Sequence, residues 1–111
     1  MRRLGLVALA LLALAGVALA QQPFSFTAMG YQQITGPVAA TNLTVPSGGA
    51  KIAQICIETQ AVRYRDDGVA PTAAIGIPVA AGTCFQYSGP LTVVQFIQQA
   101  ATAVIDVAYY R

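Results

Sequence analysis

Histidine and tryptophan are absent from the chain, Lys51 is the only lysine, and charged residues make up just 9% of its 111 positions. Without histidine the commonest general base and the commonest metal ligand are gone. Serine and threonine are plentiful, but no serine lies in a nucleophile elbow and no imidazole is there to activate one. Two cysteines with scattered carboxylates do not make a metal site, and no cofactor motif appears. The formal net charge of +2 lacks the clustered Lys and Arg that displace counterions, so nucleic acid is not an expected partner. Intrinsic disorder is excluded from the other side, because 56% of the residues are hydrophobic. At this length the chain holds one domain, and no repeat or linker divides it.

What is present begins with a leader. Met1-Arg2-Arg3 is basic, Leu4 to Val17 is an uncharged run of Leu, Ala, Val and Gly, and Ala18-Leu19-Ala20 is a small-x-small ending before Gln21-Gln22. This order reads as a secretory signal peptide over residues 1–20, cleaved after Ala20, with a domain at 21–111. The rival reading is an uncleaved anchor, since Leu4 to Ala20 reaches the lower edge of bilayer-spanning length. Membrane association is expected only in that case. Cleavage removes Arg2 and Arg3 and leaves Lys51, Arg63, Arg65 and Arg111 against Glu58, Asp66, Asp67 and Asp106. The mature domain is then formally neutral, which favours association.

After the leader, Gly and Pro recur every few residues and β-branched and aromatic residues fill the gaps. Strands are expected at 24–29 (continuing over 31–35), 40–45, 51–59, 62–65, 83–87, 91–98 and 103–110. Residues 72–77, flanked by Pro71 and Pro78, read as an edge strand or extended loop. About seven to eight short strands predict an all-β antiparallel sandwich or jelly-roll-like barrel. The helical rival is Val93 to Ala103. In 51–59, Ala53, Ile55 and Ile57 share an apolar face, and Gln54, Cys56 and Glu58 share the other. In 62–65, Val62 and Tyr64 face one way and the arginines the other.

Four features invite a chemical reading. Cys56 and Cys84 are an even pair in a chain with an export-type leader and leave the apolar face of their strands. An intrachain disulfide, two free thiols and an intermolecular bridge all stay open. The cluster Arg63, Arg65, Asp66 and Asp67 is the one dense charged stretch. Adjacent carboxylates on a strand point to opposite faces, which is poor geometry for acid–base work. The expectation is a turn at Asp66-Asp67-Gly68 with the Asp side chains on local backbone. Arg63 and Arg65 are expected to pair with Glu58 and Asp106 across the sheet or to contact a partner. Tyr109 and Tyr110 are candidate interface aromatics, with alternation placing one inside and one outside. Asn42-Leu43-Thr44 matches the N-glycosylation acceptor pattern, which matters only in a host that glycosylates.

Arg63-Tyr64-Arg65-Asp66-Asp67-Gly68, followed by Ala70-Pro71-Thr72-Ala73, resembles a segment of small virion structural proteins of tailed bacteriophages. The resemblance continues through Gly76–Gly82, Tyr87-Ser88-Gly89, Phe96-Ile97 and Val107–Arg111 and covers the second half of the chain. It implies a small, non-catalytic β-sandwich of decoration type that binds other virion proteins or its own copies, with no active-site residue to carry over. The leader departs from that pattern and admits an exported bacterial domain instead.

Two functions therefore stand side by side. One is a non-enzymatic structural protein that self-associates or decorates a phage capsid. The other is an exported surface or periplasmic module that binds glycan or another cell-surface polymer. Catalysis is disfavoured by the empty inventory. Self-association is expected at the uncharged segments 24–29 and 40–45.

Overall fold

The computed structural model describes residues 25–111, and the leader expected at residues 1–20 lies outside the described residues. Eight strands and no helix are found among them: β1 (Ala28–Thr35), β2 (Thr41–Asn42), β3 (Ile52–Glu58), β4 (Val62–Arg65), β5 (Ile77–Val79), β6 (Cys84–Tyr87), β7 (Gln95–Gln98) and β8 (Val104–Tyr110). The helix considered over Val93 to Ala103 is replaced by β7 and the bend that follows it. Just before β7, the N–H groups of Val93 and Val94 share the Pro90 carbonyl in one tight turn, at 3.0 and 3.1 Å.

The pairing is that of one long antiparallel ribbon. β1 pairs with β8, β2 with β7, β3 with β6 and β4 with β5, so the first half of the chain meets the second half in reverse order. The ribbon is then rolled, which brings β3 against β8 and β4 against β7. Two four-stranded sheets result, ordered β1-β8-β3-β6 and β2-β7-β4-β5. Every connection except β4–β5 crosses between sheets, the winding of a double-sheet jelly roll. The expected all-β antiparallel sandwich is therefore the observed architecture.

Period-two alternation decides which residues meet between the sheets. Ala53, Ile55 and Ile57 of β3 and Ile105, Val107 and Tyr109 of β8 point inward and are essentially inaccessible. Val62, Val94 and Phe96 answer them from the second sheet. Each such Ile, Val or Phe contributes about 1.5–3 kcal/mol by leaving water. Tyr64 fills the space between the sheets, its ring 5.9 Å from Phe85, 6.2 Å from Tyr87 and 5.5 Å from Phe96. Such offset and edge-on pairs add modestly to simple burial.

Several strand boundaries differ from expectation, each for a local reason. Thr27 and Arg111 exchange two backbone hydrogen bonds (2.9 and 3.0 Å) ahead of β1, and the register slips between Ala28 and Gly30. A bulge there re-aims the chain, so the ladder is centred on residues 31–35 instead of 24–29. The segment 40–45 keeps only two ladder residues. Leu43 turns into the core, and the Thr44 N–H is taken by the Gln32 side chain at 2.9 Å. Residues 72–75 close a turn on themselves, and the strand starts at Ile77 with Pro78 on a sheet edge, where a missing donor is tolerated. Between β5 and β6 the Thr83 N–H returns to the Ala80 carbonyl (3.3 Å), and Gly82 takes φ 84°, the left-handed position that glycine adopts at low cost.

Candidate functional site

The charged cluster folds onto its own loop. Arg65 forks Asp67, Nε to Oδ1 at 3.1 Å and Nη2 to Oδ2 at 2.5 Å. That hydrogen bond raises the Arg65 pKa and lowers that of Asp67, whose Oδ1 also accepts the Val69 N–H at 3.3 Å. Arg63 reaches the carbonyls of Ala73 (3.1 Å) and Gly76 (2.8 Å) on the far arm of the β4–β5 loop. Asp66 turns the other way and accepts the Tyr87 hydroxyl at 2.7 Å. Burial, then that bond, pushes the Tyr87 pKa up.

Expected pairings of Arg63 and Arg65 with Glu58 and Asp106 are thus corrected. Those carboxylates lie on β3 and β8 in the opposite sheet. The arginines find closer acceptors because the 66–76 loop folds back beside β4. The expectation of Asp side chains on local backbone holds for Asp67, whereas Asp66 serves a tyrosine from β6. All four charges hold the loop, and the shallow space of about 230 Å³ beside them is lined by Arg65, Asp66, Asp67 and Ile75–Ile77, with each of those charges already hydrogen-bonded.

Cys56 and Cys84 form a disulfide, with Cα atoms 4.0 Å apart. They are direct partners in the β3–β6 ladder, and their side chains lie on the outer face, as alternation predicts. Tyr109 corrects the interface expectation. Its ring is inside the sandwich, 1% exposed, with its hydroxyl on Gln32 Oε1 at 2.6 Å, and burial raises its pKa to about 12. Tyr110 is the half-exposed member of the pair. The tyrosine on the surface that sequence reasoning missed is Tyr31, 66% exposed on β1.

Tyr31 belongs to a polar cluster on the same outer face. Asp106 Oδ1 accepts the Tyr31 hydroxyl (2.8 Å) and the Gln33 amide (2.9 Å). Hydrogen bonds from Gln33 first, then Glu58 and Tyr31, lower the Asp106 pKa, while the bond and repulsion from Asp106 raise that of Glu58. The outward phase of Asp106 and Glu58 was readable from alternation, but their proximity depends on β3 meeting β8 after the ribbon rolls. Among the described residues no three His, Cys, Asp or Glu side chains converge as a metal site would require.

β1 and β2 are outer strands of their sheets. The Gly36 N–H on the Ala103 carbonyl (2.7 Å) sets the phase of the β1–β8 ladder. Gln32 and Ile34 therefore bond to β8, and the backbones of Tyr31, Gln33 and Thr35 point away from it. No protein-family profile, curated protein or solved structure matches the chain.

Proposed function

We propose that the chain is a non-catalytic assembly protein that pairs through the β1 edge with a second copy of itself or with a shell protein, in the manner of a phage decoration protein. The observation that supports this is the open backbone of Tyr31, Gln33 and Thr35 on a strand with no charged residue. Natural edges are usually blunted by lysine, proline or inward charge. β5 carries Pro78, whereas β1 carries no lysine, proline or charge, and its one bulge, between Ala28 and Gly30, lies before the open stretch Tyr31–Thr35. The resemblance of the 63–73 segment to virion proteins agrees with this reading, and so does the jelly-roll winding, which capsid domains share with unrelated proteins. A disulfide suits a compartment that is not reducing. It also supports the second reading, the same module exported to a bacterial surface.

Gln33→Pro tests the edge. The Gln33 N–H points away from β8, so proline there removes an outward donor and spares the ladder. The oxidised protein, residues 21–111, should sediment as a dimer or larger at micromolar concentration, and Gln33→Pro as a folded monomer. A wild-type monomer that stays monomeric with candidate shell proteins overturns the assembly reading. Intact mass of the natural protein separates the compartments, because cleavage after Ala20 marks export.

A further inference from the structure

The outer face of the β1-β8-β3-β6 sheet holds a shallow trough of about 260 Å³, lined by Phe26, Ile52, Gln54, Gln86 and Tyr110. Register explains it. Gln54 faces Gln86 on β6 on one side and Ala108 on β8 on the other, and Tyr110 faces Ile52 one rung further on. Phe26 is 56% exposed at the end of the trough. Gln54 and Gln86 occupy the same close, non-hydrogen-bonded kind of ladder position as the disulfide pair two residues away, so their amides emerge side by side. Both are exposed, and neither makes a side-chain hydrogen bond within the described residues.

We infer that this trough binds a neutral sugar ring of a glycan. A pyranose presents a face of C–H bonds that packs on the electron-rich face of an aromatic ring. It also presents vicinal hydroxyls, each able to donate and accept. A primary amide offers one acceptor and two donors in a plane, which fits such a pair of hydroxyls. Tyr110 and Phe26 supply the first kind of contact, and Gln54 and Gln86 the second. Among the described residues no cation lines the trough, and Glu58 and Asp106 stand on the same face, so phosphate, nucleotide and acidic sugars are disfavoured. The volume lies below the roughly 300–1,000 Å³ of drug-sized sites and suits one ring at a time. A second copy of the chain is a poor occupant, because a stable protein contact needs about 800 Å² per partner. The site does not involve the outward backbone of β1, so it is compatible with self-association and independent of it.

The test is a side-chain amide NMR titration of the oxidised protein with cellohexaose, mannohexaose and N-acetylchitohexaose, with hexagalacturonate as the acidic control. At least one neutral oligosaccharide should shift the Gln54 and Gln86 amides saturably, with an affinity near or below about 1 mM. Gln86→Ala and Phe26→Ala, both at exposed positions, should each weaken that binding about tenfold while leaving the remaining spectrum in place. The acidic control should bind less well. No saturable shift with any of the three neutral probes at about 10 mM overturns the inference, and so does equal binding by both variants. The same titration on Gln33→Pro separates loss of the trough from loss of assembly, since that variant keeps every trough residue.

Discussion

Cys56 and Cys84 are joined across a sequence separation of 28, and the bond closes the loop that contains β4 and β5. Closing a loop of that length removes about 12 cal/mol/K of entropy from the unfolded chain, or about 3–4 kcal/mol at room temperature on the chain-entropy model. A domain of this size shifts by about 4–8 °C for each kcal/mol, so reduction should lower Tm by about 12–32 °C. The outward position of both sulfurs sharpens the prediction. Cys84 is exposed and Cys56 half-buried, so the double variant Cys56→Ala, Cys84→Ala leaves no hole between the sheets. Its loss should match that of the reduced wild type, with the aromatic bands of the near-ultraviolet dichroism spectrum unchanged at room temperature. Calorimetry with and without reductant, on both proteins, makes the comparison. A Tm change under about 5 °C would refute the loop-entropy argument. A double variant that loses its native spectrum would show instead that the sulfurs support packing.

The two arginines should behave differently. Arg63→Ala strands two loop carbonyls and should cost about 1–3 kcal/mol in denaturant unfolding, whereas Arg65→Ala breaks only an exposed pair and should fall near measurement error. Equal losses would contradict the loop-staple assignment. Tyr87→Phe removes the donor to Asp66 and should cost about 1–2 kcal/mol; no change would mean that water replaces the hydroxyl. Tyr109, with its pKa raised to about 12, contributes stability that is fully present below the ordinary tyrosine value and lost as pH rises through 12. Phenolate absorbance should therefore show the buried tyrosines, Tyr87 and Tyr109, ionising together with alkaline unfolding, and Tyr109→Phe should reduce the amplitude of that step by one tyrosine. In Asp106→Asn, carboxyl NMR should show the Glu58 titration moving down to its usual range, and a Glu58 step that stays raised would disprove the pairing.

Alternation was enough to sort Ala53, Ile55 and Ile57 from Gln54, Cys56 and Glu58, because a strand's side chains have a period of two whatever it pairs with. For the same reason the outward arginines of β4 and the inward–outward split of Tyr109 and Tyr110 were legible in the chain. Turn chemistry likewise marked Asp66-Asp67-Gly68. Pairing was a different matter. Alternation says which face a residue takes but not which strand lies beside it. That Cys56 meets Cys84, and that Asp106 and Glu58 gather on one face with Tyr31 and Gln33, follows from rolling the ribbon so that β3 lies between β6 and β8. The mistaken partners for Arg63 and Arg65 have the same origin. Opposite charges attract at any separation in sequence, but only the folded loop decided which acceptors were within reach. The trough, too, is a product of tertiary structure. Phe26, Gln54, Gln86 and Tyr110 come from four separate stretches of chain; sheet register places Gln54 beside Gln86 and Ile52 beside Tyr110, and the Thr27–Arg111 pairing carries Phe26 to that end of the sheet.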